Sequence, residues 1–385
     1  MQGPRVFRRV PSVDTCGVHE TYHVYCASPF QAVRPMSWCR LEPELPRGTG
    51  NVKPAELPSD ETGTGIAPRN PRPSGRGACQ LQEEAKQPMA DGMETYRGIV
   101  FPWEVDLVEH FTVAYYFDRL ADAGWNALDA LGLGAEYVAR TGCACVTEQV
   151  NVRYRKELRA GDLMYIQSGV IAANDSGLIL GHTLLNAATG DLCTTFAQHL
   201  AHVQWPKRGR VPWTPEQQAV IQRHHIAWDV PPPERRPLPA TDEGFVASGR
   251  DTVKPWELDV LGILALKAYI HRFSGASAQL FAQFGMPPSY FRQERRGLST
   301  FEFQFALLGD LRAGDPVHVR TGLLHLGNSS LRFQHRLYHS RSGQLMASLD
   351  HSGVHLDTDA RRPTPIPETF RQQAQRLMVP SQAVL

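Results

Sequence analysis

From Met93 onward the chain carries a regular pattern of apolar and polar positions, and its period changes at defined points. The run RGIVFPWEV reads as a strand, since residues two apart share one face of a sheet. Beyond Thr112 the period shifts, with Phe117, Leu120, Ala121, Gly124, Leu128 and Leu131 falling at helical spacing. This predicts a long helix with one apolar stripe, Thr112 able to cap its start and Gly132 and Gly134 ending it. Four strand-like runs follow: CACVTEQVNVRY, DLMYIQSGVIAA, GLILGHTLLNAA and DLCTTFAQHLAHVQW, separated by AGD, NDSG and ATGD turns. One helix followed by an antiparallel meander is expected. Small residues along the helix (Ala121, Ala123, Gly124, Ala127) let a curved sheet approach closely.

The same pattern is then written a second time. At a fixed offset of 153 residues, Pro102, Trp103, Glu104 and Asp106 recur as Pro255, Trp256, Glu257 and Asp259, and LRAGD at 158–162 returns at 311–315. His182, Gly190, His202 and Pro212 recur as His335, Gly343, His355 and Pro365. A gapless match of this length marks an internal duplication. The Pro-rich segment DVPPPERRPLPATDEG between the copies favours an extended, semi-rigid connection. The predicted organisation is a first unit at 93–223, a linker at 224–248, a second unit at 249–376 and a tail at 377–385. Residues 1–92 show loop-forming stretches such as RNPRPSGRG without sustained apolar periodicity. They read as disordered, being either a genuine extension or the product of too early a start codon.

The copies diverge at one place that bears on chemistry. DLVEHFTVAYY at 106–116 corresponds to DVLGILALKAY at 259–269, so the leading aspartate is kept and the histidine is lost.

Composition narrows the remaining possibilities. A chain of 385 residues is long for a single core, in keeping with two units. Lys+Arg 40 against Asp+Glu 39 leaves a formal charge of +1, which points to no nucleic-acid and no membrane partner. No apolar run approaches a membrane span, the N-terminus lacks the apolar core of a secretory signal, and a cytoplasmic location is expected. Seven cysteines, an odd number, read as reduced thiols. Cys143 and Cys145 lie in a strand-like run without a second pair at zinc spacing, so they are expected as strand side chains and no metal site is expected. Nor is there a Gly-rich phosphate loop, a nicotinamide fingerprint or a serine elbow.

The positions Asp106, Glu109, His110, Thr112 and Tyr115 resemble the Asp-x-x-Gly-His-x-Asn segment and following tyrosine of the 4-hydroxybenzoyl-CoA thioesterase-like branch of the hotdog acyl-CoA thioesterases. Glu109 replaces the glycine and Thr112 the asparagine, while Gln149 and Asn151 stand where relatives often carry Glu and His ahead of Tyr154. The resemblance spans residues 96 to about 375. It implies an α+β class of two tandem hotdog domains, each a long helix wrapped by an antiparallel sheet, pairing into one pseudo-dimer whose sites form where one unit's helix start faces the other unit. It also implies hydrolysis of an acyl-CoA thioester without metal or redox cofactor, coenzyme A being part of the substrate. An acyl-carrier-protein thioesterase, a non-catalytic acyl-thioester binding protein, and further association into a homo-oligomer remain open.

Thioester hydrolysis can proceed with one positioned carboxylate and a polarised carbonyl. Asp106 is the candidate general base or nucleophile, and the backbone N–H groups near Thr112 and Val113 are candidate oxyanion donors at a helix start. His110 is expected to orient substrate or hydrogen-bond the carboxylate, with Glu109 and Tyr115 beside it. Arg153, Arg155 and Lys156 are candidates to grip phosphates of coenzyme A. Bland alternatives stand beside each: Asp106 as a cap of the helix or its preceding turn, Tyr115 as packing, and the basic run as protection of a sheet edge. Asp259, with apolar neighbours, is expected to mark a relaxed second site, and His182 and His335 to hydrogen-bond within the sheet.

Overall fold

The computed structural model describes residues 92–380, so the reading of the N-terminal stretch as disordered falls outside the described residues. The first unit comprises β1 (Met93–Ile99), α1 (Val113–Ala130), α2 (Ala135–Thr141), β2 (Cys143–Tyr154), β3 (Leu163–Asn174), β4 (Gly177–Asn186), β5 (Leu192–Gln204), β6 (Gly209–Arg210) and α3 (Pro215–Arg223). The second repeats it with β7 (Val246–Thr252), α4 (Leu266–Gln283), α5 (Pro288–Gln293), β8 (Arg296–Leu307), β9 (Pro316–Leu326), β10 (Ser330–His339), β11 (Leu345–Asp357), β12 (Arg362–Pro363) and α6 (Glu368–Arg376). Every strand run anticipated after the helix is present. The leading strand stops at Ile99, because Pro102–Glu104 forms a single 3-10 turn in which Pro supplies no ladder donor.

All named strands join one antiparallel sheet in the order β1-β3-β4-β5-β2-β8-β11-β10-β9-β7, with β6 beside β5 and β12 beside β11. The units meet where Gln149–Arg153 of β2 pairs with Glu302–Ala306 of β8. Strand alternation turns Val150, Val152, Phe303 and Phe305 of this seam inward, onto a buried core shared with Phe117 and Leu120 of α1 and Tyr269 and Phe273 of α4. Both long helices thus lie on one face of a continuous sheet. Close approach is needed there: a Cβ at Gly124 would come within 2.9 Å of Gln198 Oε1.

The extended linker crosses the opposite face of the sheet. Arg153 donates to the carbonyl of Pro232 (3.1 Å), Gln304 to that of Glu234 (3.0 Å) and Arg332 to that of Pro237 (3.2 Å). Proteolytic cleavage in this segment should therefore leave the two halves co-eluting on size exclusion, since parting them would expose strand edges and the shared core. Recovery of two separately eluting, active halves would contradict the seam. Among the described residues, no helix is long and apolar enough to cross a membrane.

Candidate active site

The loop that opens each unit's helix is held from two sides. In LRAGD, Leu158 and Leu311 are fully buried, and their carbonyls accept the N–H of Phe111 and of Leu264, at 2.8 Å in both copies. Gly161 and Gly314 both take φ of +91°, a conformation that favours glycine, and donate their N–H groups back to Val100 and Val253. The recurring pentapeptide is thus the clamp that fixes where the aspartate loop sits.

Within the loop, Asp106 Oδ1 accepts the N–H of Val108 (2.9 Å) and of His110 (3.0 Å), closing a tight turn ahead of α1. Asp259 does the same for Leu261 (2.8 Å) and Ile263 (3.2 Å). The turn-capping alternative therefore describes both aspartates, and it leaves Asp106 Oδ2 without a protein hydrogen bond among the described residues. At the crest of each turn the backbone is left-handed, φ +64° at Glu109 and +73° at Gly262. The second copy carries glycine where the first tolerates glutamate.

What separates the copies is the space in front of the carboxylate. Asp106, Val108, His110, Val113 and Tyr116 line a cavity of about 710 Å³ whose opposite wall is α4, β8 and β11 of the second unit. The equivalent space before Asp259 has shrunk to about 60 Å³. Leu261 and Ile263 instead pack on Val146, Ala201, Val203 and Trp205. The two copies thus differ in the space before the aspartate, a large open chamber in one and a small, largely filled one in the other.

The carboxylate keeps an open surface at the chamber mouth, yet surrounding protein atoms crowd it. This burial raises its pKa above the ordinary aspartate value, against the lowering pull of the two N–H donors and His110. Burial holds His110 below the usual histidine value, opposed by the Asp106 charge. His110 Nε2 lies 2.9 Å from Glu157 Oε2 and 2.7 Å from a guanidinium nitrogen of Arg361, and Arg361 is itself paired with Glu157. Arg361 reaches across from the second unit. Its counterpart Arg208, offset by the repeat, pairs with Asp310 in the filled site, and both arginines take left-handed backbone, φ +53° and +58°.

Several predicted site residues need correction. Thr112 precedes α1 but makes no side-chain cap, and its N–H is already bound to the Glu104 carbonyl at 2.8 Å, so it is no free oxyanion donor. Val113, the first residue of α1, has no intrahelical acceptor for its N–H and lines the chamber. Tyr115 turns away and packs its ring on His271 (5.6 Å), whereas the next residue, Tyr116, faces the chamber. Glu109 is exposed and does not line the chamber. The strand β2 is interior to the sheet, which removes the edge-protection account of the basic run. Arg153 points to the outer face, near Glu302 and under the linker, while Arg155 and Lys156 do line the mouth. Gln149 and Asn151 hydrogen-bond each other (2.9 Å) on β2 and do not line the chamber; Tyr154 of the same strand lines it.

Sequence reasoning missed Tyr116, Glu157, Arg361 and the α4 wall. The recurrence of arginine at 208 and 361 was a signal available in the repeat, and Tyr116 lies four residues before Leu120 on the apolar stripe. The strand histidines behave as expected. His182 contacts Ser168 (2.6 Å) and Gln198 (3.2 Å), His335 contacts Thr321 (2.8 Å) and Ser277 (3.2 Å), and burial lowers their pKa values to about 4 and about 3.

The profile of the thioesterase-like superfamily matches residues 100–221 and again 253–374, together more than half of the chain. The chain belongs to that superfamily. A betainyl-CoA thioesterase of Pseudomonas aeruginosa is 31% identical over 113 residues, 29% of this chain and 71% of that protein. An L-carnitine dehydrogenase/betainyl-CoA thioesterase of a Rhizobium species is 27% identical over 112 residues, of which the chain spans only 22% of the relative's length. Among solved structures, a putative oleoyl thioesterase from Lactobacillus plantarum superposes with TM-score 0.55 at 16% identity, covering 72% of this chain and 99% of that one. The 12:0-ACP thioesterase from Umbellularia californica gives 0.54 at 12% identity, covering 70% and 93%. At such identity these two superpositions speak for the fold, a tandem pair of thioesterase-like units.

Asp259 offers a check on the electrostatics of this superfamily member. Burial raises its pKa too, so its folded-state value lies above the unfolded one. Such a carboxylate costs stability as pH rises through the folded value and costs nothing below the unfolded one. Asp259→Asn keeps an oxygen for the two backbone donors, and its thermal midpoint should equal or exceed that of the parent at pH 7. The difference should close in acid below the ordinary aspartate range. A variant less stable at pH 7 than at low pH, relative to the parent, would reverse the assignment.

Proposed function

We infer that this protein hydrolyses an acyl-CoA thioester at a single site per chain, the chamber opening at Asp106. The observation that carries this reading is the retention of the open chamber at one of two duplicated loops, the one where the histidine is kept. Two relatives bear the name betainyl-CoA thioesterase, which supports thioester cleavage as the reaction class.

In this reading the thioester carbonyl lies against the start of α1, where the Val113 N–H and the positive end of the helix dipole stabilise the developing oxyanion. Asp106 Oδ2 either takes a proton from water as its oxygen adds to the carbonyl carbon, or adds directly to give an anhydride that water then opens. Both routes break the carbon–sulfur bond, release coenzyme A as a thiolate that takes up a proton, and leave the free acid. Arg155 and Lys156 at the mouth would face the anionic end of coenzyme A. As proposed, the step draws on a carboxylate and a backbone amide, with no metal or redox group taking part.

A thiol-release assay over a panel of acyl-CoAs tests the reading directly. Release well above the uncatalysed rate with at least one of them is expected. Turnover of acyl-carrier-protein thioesters alone would move the substrate class, and release from neither, with the folded protein in hand, would end the hydrolase reading.

A further inference from the structure

The chamber has a direction. Its α4 wall is built by Ile270, Phe273, Ser274, Ser277, Ala278 and Phe281, spaced at helical intervals on one face, so it follows that helix for about 16 Å at 1.5 Å per residue. The charged side chains lining the chamber are Asp106, Arg155, Lys156, Glu157 and Arg361. All of them belong to the mouth, in or beside the aspartate loop. Beyond it stand Phe273, Phe281, Phe291, Phe303, Leu298 and Leu349.

Two polar side chains of that deeper wall are already occupied, while the buried Tyr154 hydroxyl, its ring packed on Phe303, is neutral and has no hydrogen-bond partner among the described residues. Ser277 Oγ donates to the Phe273 carbonyl at 3.0 Å and meets His335 at 3.2 Å. His351 Nε2 lies 2.9 Å from Thr300 Oγ1, and burial, reinforced by His335, keeps the ring neutral, well below its usual value. A charged group entering this region would lose its hydration and find no counter-ion. An uncharged apolar chain loses nothing by the same move and gains burial.

The duplication shows what sets the depth. At the repeat offset, Ala278 corresponds to Trp125, and Trp125 lines the small remnant before Asp259. One wall position thus carries a methyl group in the open copy and an indole in the closed one.

We propose that the chamber is a channel for an uncharged, predominantly apolar acyl chain lying along α4, with Ala278 setting its depth. This names the substrate class of the same site and rests on the thioesterase reading. It sets the chain apart from relatives named for betainyl-CoA, whose acyl group is short and permanently cationic.

The full-length protein should be assayed with acetyl-, betainyl-, hexanoyl- and decanoyl-CoA, and titrated calorimetrically with coenzyme A and with the non-hydrolysable thioether S-decyl-CoA. The expected results are a kcat/KM for decanoyl-CoA at least about tenfold above those for acetyl- and betainyl-CoA, and binding of S-decyl-CoA at least about tenfold tighter than coenzyme A. Ala278→Trp should bring both ratios toward unity; Ala278→Leu, a smaller intrusion, should lower them partway and serves if the tryptophan variant does not fold. Betainyl-CoA as the best substrate, equal binding of the two titrants, or an undiminished decanoyl ratio in folded Ala278→Trp would overturn the proposal. Tight S-decyl-CoA binding without hydrolysis of any thioester would uphold the channel while removing the hydrolase reading beneath it.

Discussion

Replacing Asp106 with Asn is expected to lower kcat by a factor on the order of 10² to 10⁴, the range associated with loss of a general acid–base group, while leaving the fold intact. The geometry makes this substitution informative. Asp106 Oδ1 holds the turn through the N–H groups of Val108 and His110, and an asparagine oxygen can accept the same two bonds. What disappears is the negative charge on the second oxygen, which is the part a base or nucleophile needs. In the parent, the acid limb of the kcat/KM profile should fall above the ordinary aspartate range, because burial raises the Asp106 pKa and the proposed step uses the ionised form. Asp259→Asn makes the matching change in the filled copy and should retain most of the turnover. Equal losses in the two variants would show that the small site works, and full activity in Asp106→Asn would reduce that residue to its turn-holding bonds.

The fold was legible because its signals are local and repeated. Apolar periodicity located α1 and the strands, and the offset of 153 residues paired the units before any geometry was known. Other local signals went unused: Thr214, Pro215 and Gln217 spell a capping box and a first-turn proline, and α3 begins there with Gln217 N donating to Thr214 Oγ1 at 3.3 Å. The site was less legible for a different reason. Its far wall comes from α4, β8, β11 and Arg361, which lie more than 150 residues from Asp106 and carry no motif linking them to it. The misplacement of Tyr115 and Tyr116 is a matter of about 100° of helix rotation, finer than a motif match resolves. The Thr112 amide was lost to a carbonyl eight residues upstream, a pairing set by the path of the loop. His110 was found by motif, yet its partners Glu157 and Arg361 depended on how the two units face each other.

Truncating Glu104 to Ala should be strongly destabilising to the first unit, costing on the order of 3 kcal/mol of stability. Glu104 is 4% exposed and Arg119 7%, and the carboxylate meets the guanidinium at 2.5 Å from α1. Its other oxygen accepts the N–H of Phe101 at 3.0 Å, and its backbone carbonyl receives the Thr112 N–H. One residue therefore joins the end of β1, the start of α1 and the central helix surface. The second unit repeats the bond set: Glu257 meets Arg272 at 2.7 Å and the Lys254 N–H at 2.8 Å, and the Glu257 carbonyl receives the Ala265 N–H at 2.9 Å. These bonds account for the glutamate of Pro-Trp-Glu in both copies although only one has an open chamber. Removing the carboxylate takes from a buried arginine, whose Nε already lacks a partner, the more deeply buried of its two carboxylates and leaves it the partly exposed Asp118 at 2.9 Å, so the penalty includes desolvation of a poorly compensated charge as well as the lost bonds. Chemical denaturation of Glu104→Ala and of the double variant Glu104→Ala/Arg119→Met separates the two, since removing both charges should recover much of the loss. If the single variant loses less than about 1 kcal/mol, or the double variant is no better than the single, the pair does not carry the loop in the way these contacts indicate.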